Sequence, residues 1–256
     1  MGFMGDVIFN FIEKLQGSEP WGTLLDAGTG PYSLEWIVGL ATTSWTAVSA
    51  DPAATKRLEE KVSSRLRPAD RLVSGDWQDP LLLHEEVYDV VLADYLLGAV
   101  EGFAPFFQGR LFKRLRPHVG SRLYVVGLAP YPSTTDNPWG QVVLEISRLR
   151  DACLLLAGGR SYREYSLDWT VASLEGSGFS VEEVRVFPIR YGARFVNEYL
   201  DVCQRSLHAI RDEALAAQLE RSIKSLRERT LSLCEIGKGT PFGEDYVVQA
   251  RPVQTT

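Results

Sequence analysis

Hydrophobic and polar positions change their period along this chain. Phe3, Val7, Ile8, Phe11, Ile12 and Leu15 recur at helical spacing, and Gly17-Ser18-Glu19-Pro20 closes that helix. From Gly22 short apolar runs alternate with longer amphipathic stretches. Strands are predicted at about 23–27, 45–50, 71–75 and 88–94. Helices are predicted near 31–41, 52–66 and 101–116, with a short segment near 79–86. A fifth strand, Arg122 to Gly127, follows a Pro-His-Val-Gly turn. Repeated strand–helix units imply an α/β fold built on a parallel, doubly wound sheet with right-handed crossovers.

The rhythm changes after residue 128. Loop 128–140 holds Pro130, Pro132, Pro138 and Gly140 with Tyr131 and Trp139 between them. A helix near 141–157 carries Val142, Ile146, Leu149, Cys153 and Leu156 on one face, and Gly158-Gly159 stops it. Ser166 to Ser177 reads as another helix, and Val181 to Ile189 as the sixth strand. Residues 189–240 contain no proline, and glycine only at 192, 237 and 239. Leu215, Leu219, Ile223, Leu226 and Leu233 form a helical stripe there, with Thr230 between the last two, which predicts one long helix or two. Its apolar repeat is too short for a zipper. The seventh strand is Asp245 to Arg251. The expected organisation is one domain over 1–256, with an N-terminal helix in 1–19 and a helical insertion at 190–243 between the last two strands.

Chemistry gathers at the strand ends. Leu24-Leu25-Asp26-Ala27-Gly28-Thr29-Gly30 reads as a buried strand, an acid, a glycine turn and a helix start at Pro31. Glycines let the backbone turn sharply and let a ligand lie against it. A carboxylate at Asp26 would repel a pyrophosphate and suit an amine. Asp51 closes the second strand, Asp76 follows the third and Asp94 closes the fourth. In a parallel sheet these ends share one edge, where ligands of such folds bind. Each acid also has a plain reading: Asp26 as a turn cap, Asp51 before Pro52 as a helix N-cap, Asp76 as a surface turn. Thr29 and Ser33 offer hydroxyls that suit a ligand or a helix cap.

This series resembles the class I S-adenosylmethionine-dependent methyltransferases. Leu25 to Gly30 looks like the glycine-rich first motif, Asp51 like the acid that binds the ribose hydroxyls, Gly75-Asp76-Trp77 like the adenine segment, and Tyr88 to Tyr95 like the fourth motif. The resemblance spans roughly 20–130 well, and 160–190 and 244–251 loosely. It implies a Rossmann-like sheet of seven strands, mostly parallel with the last antiparallel, flanked by helices. It implies S-adenosylmethionine (SAM) as cofactor and S-adenosylhomocysteine (SAH) as product. Asp26, Gly28, Thr29, Gly30, Asp51, Asp76, Trp77, Asp94 and Tyr95 would surround it, with Asp26 at the methionine amine and Asp94-Tyr95 near the sulfonium. The N-terminal helix would serve as a lid. Family members usually join the last two strands by a short hairpin, so the insertion is a departure, suited to covering a substrate pocket or forming a seam between two copies of the chain.

Composition narrows the partners. A net charge of −6 with no strongly basic run argues against a large nucleic-acid footprint. No apolar run approaches the ~20 residues of a membrane span, and no leader pattern opens the chain. Cys153, Cys203 and Cys234 are odd in number and widely spaced, which supports neither a disulfide framework nor a metal site. A cytoplasmic location is the default.

The reaction implied is in-line displacement, which asks the protein to align two partners and exclude water. No catalytic base stands out; His84, His118 and His208 read as surface or structural. Tyr131, Trp139, Tyr191, Arg194 and Tyr199 are the substrate-contact candidates. Ala93-Asp94-Tyr95-Leu96 lacks the Asn-Pro-Pro-Tyr run that in this family marks transfer to planar amide or base nitrogens. A small molecule with an oxygen, nitrogen or sulfur nucleophile therefore leads. Alternatives are methyl transfer to a protein or peptide, a nicotinamide-dependent oxidoreductase, and a non-catalytic partner subunit that binds SAM.

Overall fold

The computed structural model describes residues 4–237 and 241–253. Phe3 and Gly239, both used above, lie outside them. In chain order the elements are α1 (Met4–Gln16), β1 (Thr23–Asp26), α2 (Pro31–Gly39), β2 (Ser44–Ser49), α3 (Pro52–Val62), β3 (Arg71–Ser74) and β4 (Tyr88–Asp94). Then follow α4 (Leu96–Ala99), α5 (Gln108–Leu115), β5 (Val119–Leu128), α6 (Pro138–Leu156), α7 (Leu167–Glu175), β6 (Phe179–Pro188), α8 (Ala193–Ser206), α9 (Glu213–Gly237) and β7 (Glu244–Pro252).

The seven strands form one sheet in the order β3-β2-β1-β4-β5-β7-β6. β1 pairs in parallel with β2 and β4, β2 with β3, and β4 with β5. β7 runs antiparallel to β5. This is the doubly wound sheet read from the alternation, with the antiparallel last strand that the resemblance implied. The chain builds outward from β1 to β3, then returns to β4 on the other side of β1. Between β1 and β4 the connections diverge, and in such sheets the crevice for a ligand lies there, at the carboxyl ends of the strands. Asp26 lies level with Leu92 of β4 and Ala47 of β2, so β1 delivers its last residue to that crevice.

By contact the chain divides into two compact units. The first holds the residues up to Ala129, Arg163–Val186, and those from Asp245 on; the second holds Pro130–Tyr162 and Phe187–Glu244. The first unit's core is the sheet with its helices, including Leu25, Val91, Leu123, Val125 and Val248, each fully buried. α1 packs against α2 and β5 in this unit. Phe9 stacks on Trp36 of α2 at 4.5 Å, Trp36 Nε1–H donates to Glu13 at 2.8 Å, and Tyr124 of β5 donates to Gln16 at 2.8 Å.

The second unit contains α6, α8 and α9. The stripe on α9 is its inner face: Ile223, Leu226 and Thr230 are buried, in a cluster with Val143, Ile146, Val196 and Leu200. Arg227 of α9 donates to Asn197 and Asp201 of α8, each at 2.7 Å. The proline-free stretch is therefore two helices. They break at Ile210, which is buried, and Asp212, whose carboxylate accepts the Leu215 N–H at 3.0 Å. The helix expected near 101–116 is also divided. Pro105 has no N–H to continue it, and Phe106 turns left-handed at φ 66° with its N–H on the buried Glu101 carboxylate. Near 79–86 the chain makes turns, with Leu83 and Glu85 left-handed.

Gly127 of β5 faces Tyr246 of β7, whose hydroxyl exchanges a hydrogen bond with Thr170 at 2.8 Å and donates to the Tyr165 carbonyl at 3.0 Å. A Cβ at Gly127 would lie 2.3 Å from that ring. Gly127→Ala is expected to destabilise the fold by about 1–3 kcal/mol through overpacking, read as a lower urea midpoint with an unchanged slope.

Candidate functional site

The turn after β1 is built by hydrogen bonds to its neighbours. The Ala27 N–H donates to Leu92 of β4 and the Thr29 N–H to Val48 of β2, each at 2.8 Å. Gly30 then caps α2; its N–H donates to Ser33 Oγ at 3.0 Å, and Pro31 supplies the first helical position. The two glycines have different tasks. A Cβ at Gly28 would lie 2.7 Å from Leu96 of α4, so Gly28 admits that side chain. A Cβ at Gly30 would meet nothing within 4 Å, which leaves open space beside the turn.

Asp26 is fully buried. Its Oδ1 accepts the Gly28 N–H at 3.4 Å. Its Oδ2 is buried and receives no hydrogen bond among the described residues. Burial pushes this carboxyl up to about 6, against the opposing pull of the nearby Ser33 and Thr29 hydroxyls and the Gly28 N–H. A buried carboxylate oxygen without a donor is costly in an isolated protein, and a cationic or N–H-bearing ligand removes that cost.

The next two strand ends carry Asp51 and Asp76. Asp51 caps α3, with Oδ1 accepting the Ala53 N–H at 2.8 Å, while Oδ2 stands 3.7 Å from the exposed Arg57. Asp76 accepts the Gln78 N–H on Oδ1 at 2.8 Å. The local readings of these two acids thus hold, and each keeps a second oxygen. Trp77 differs from its expected place. It is only 3% exposed, and its indole N–H donates to the Ala27 carbonyl at 2.6 Å. Arg114 lies over its ring at 5.2 Å and donates to the Asp79 and Leu82 carbonyls. The apolar ring was drawn into the core, so Trp77 supports the glycine turn instead of presenting a face to a cleft.

β4 delivers Asp94 and Tyr95. Tyr95 is left-handed at φ 48°, an unusual conformation for an aromatic residue, and its N–H donates to Val126 of β5 at 3.0 Å. Its phenol lies near Asp245 and Asp94. Burial first, then Asp26 and Asp245, push the Asp94 carboxyl up to about 8. Burial pushes Asp245 up to about 7, and the Tyr95 hydroxyl moderates it. Burial and the surrounding acids raise the Tyr95 phenol as well. Sequence reading missed Asp245. Its signal was an acid at the first turn of the last strand: an antiparallel strand starts on the edge where its parallel neighbours end.

The five substrate-contact candidates all fall in the second unit. Tyr131 and Tyr191 join hydroxyl to hydroxyl, and Tyr191, Phe195 and Tyr199 follow at successive ring spacings of 4.2 Å. Phe242 stacks on Tyr131 at 5.5 Å. Tyr199 carries the Arg150 guanidinium at 4.4 Å, and Arg194 pairs with Glu198 at 2.7 Å. Trp139 is buried, and its Nε1–H has no acceptor. Phe195 and Phe242 joined this aromatic group unannounced by sequence. Among the described residues no group of three His, Cys, Asp or Glu side chains could hold a metal ion, and no helix is long and apolar enough to cross a membrane.

No family model matches the sequence, and no curated protein matches it. Solved structures do. A putative methyltransferase from Bacillus halodurans superposes with TM-score 0.61 at 16% identity, covering 96% of this chain and 99% of its own. A mycolic acid cyclopropane synthase complexed with SAH and CTAB gives 0.58 at 15% identity, covering 96% and 82%. The fold is that of the class I methyltransferases. The 4+2 cyclase SpnF shares this methyltransferase fold, with TM-score 0.60 at 14% identity over 97% of this chain and 81% of its own.

The three raised carboxyls set a pH dependence. An unfolded Asp loses its proton near 3.8, whereas folded Asp94 holds its proton to about 8. Between those values the folded state binds more protons, so stability falls as pH rises through the window. The thermal midpoint of the ligand-free protein is expected to drop by several degrees from pH 5 to pH 8. Asp94→Asn should flatten that slope in a scanning-fluorimetry series.

Proposed function

We propose that this protein transfers a methyl group from SAM to an oxygen, nitrogen or sulfur nucleophile of a small molecule by in-line displacement, in the cytoplasm. The observation that carries this reading is the glycine turn at the switch point of the sheet. A buried Asp26 oxygen there has no donor, and open space lies beside Gly30. The donor set suits SAM. Asp26 would hold its ammonium group, the second oxygen of Asp51 its ribose hydroxyls, and the second oxygen of Asp76 its adenine amine. The backbone from Gly28 to Gly30 would lie along its methionine portion. When bound, SAM supplies an electrophilic methyl on a sulfonium.

The chain's own contribution is alignment and exclusion of water. Asp26 and the turn fix one end of the donor, and the β2 and β3 ends fix the other. An acceptor that arrives as a free amine, thiolate or phenolate needs no base, which is consistent with the lack of a histidine at this edge. One structure of the same fold is named as a cyclase, so fold alone does not set the reaction.

Calorimetry with SAM is the first test, with NAD and NADP as controls. SAM is expected to bind and the nicotinamide cofactors are not. Asp51→Ala should weaken SAM about tenfold or more by removing a charged acceptor for paired hydroxyls. A preference for NAD would overturn the reading, and so would SAM affinity indifferent to Asp51. With binding in hand, release of SAH is followed across hydroxyl, amine and thiol acceptors.

A further inference from the structure

Asp245 extends the acidic lining of the crevice to a third strand. Asp26 ends β1 and Asp94 ends β4, while Asp245 stands at the start of β7, across β5 from Asp94. Asp94 is level with Val126 of β5, and Asp245 pairs with Leu128 two residues further out. Tyr95 follows Asp94 in the chain, and its phenol is raised by both Asp245 and Asp94, which places the three groups together. Among the described residues, the charged groups acting on Asp94, Tyr95 and Asp245 are Asp26, one another and Glu164, which precedes α7; no cation is among them. A separate observation points to a ligand. Asp26, whose charge acts on Asp94, has a buried oxygen that no protein group satisfies.

SAM carries two positive charges, an ammonium and a sulfonium; SAH retains only the first. Under the function proposed above, on which this inference rests, Asp26 takes the ammonium, and Asp94 with Asp245 remain for the second charge. We propose that Asp94 and Asp245, with Tyr95 beside them, are the counter-charge for the sulfonium and make the site favour the charged methyl donor over its neutral product. Two neighbouring carboxyls, Asp245 buried and Asp94 half-buried, resist joint ionisation, so the pair keeps a proton while no cation is present. It releases that proton to solvent when a cation enters. It takes one back when a neutral thioether replaces the cation, and the hold on the product weakens.

Calorimetry of the full chain with SAM and with SAH tests this without knowledge of the acceptor. Titrations are run between pH 6 and 7, below the α-amino range of about 8, in two buffers of different ionisation enthalpy. SAM is expected to release about one proton more than SAH, and its affinity to rise by up to about tenfold per pH unit. Asp245→Asn and, separately, Asp94→Asn should abolish the extra proton and weaken SAM several-fold more than SAH. Equal proton release by the two ligands overturns the inference but leaves the cofactor reading standing, as does an Asp245→Asn protein with the wild-type difference. Failure of both ligands to bind the folded wild-type protein removes the cofactor reading and this inference together.

Discussion

The segment Ala27 to Gly30 is held on three sides by hydrogen bonds. The Ala27 N–H is on Leu92, the Thr29 N–H on Val48, and the Ala27 carbonyl on the Trp77 indole. These reach three different strand–loop neighbours, so the turn cannot move without disturbing β4, β2 and the segment after β3. It therefore presents Asp26 in a fixed position although that carboxyl is unfavourable where it sits. A rigid scaffold that holds one unsatisfied polar group is the usual arrangement of a preformed binding site.

Electrostatics at the same edge follows from that arrangement. Burial alone raises Asp26, Asp94 and Asp245, and their mutual proximity raises Asp94 further. Among the described residues no neighbouring arginine or lysine relieves them, in contrast to Asp70, which Arg67 grips at 2.8 Å and holds below its ordinary range. The chain thus shows both ways of burying an acid. One is neutralised internally and serves structure. The other stays without an internal counter-charge among the described residues, at a cost in stability that grows with pH.

The second unit follows a different logic. Its helices bury an apolar stripe among themselves, and its aromatic side chains stack in sequence from Tyr131 to Tyr199. Tyr131, Tyr191 and Tyr199 are partly buried beside Trp139 and Phe242, so apolar packing and hydroxyl groups are combined in one place.

Local pattern alone determined the strands and helices of the sheet, the glycine turn and the acids at β1 to β4. Each of these depends on residues within a few positions of one another: apolar alternation, a glycine pair, an acid before a proline. Asp51 before Pro52 and Ser33 after Gly30 were legible as caps for the same reason. Tertiary structure alone decided what depends on distant neighbours. Trp77 became a support because Ala27 offered it a buried carbonyl 50 positions away. Gly28 proved necessary for Leu96, a contact between the glycine turn and α4 that no spacing announces. Asp245 joined Asp94 because β7 enters beside β5 in the opposite direction, which places the start of one strand at the end of another. The proline-free stretch broke into two helices where Ile210 found cover and Asp212 a backbone to cap. Periodicity carries the direction of a side chain relative to its own backbone; which partner it meets is set only when the sheet order is set.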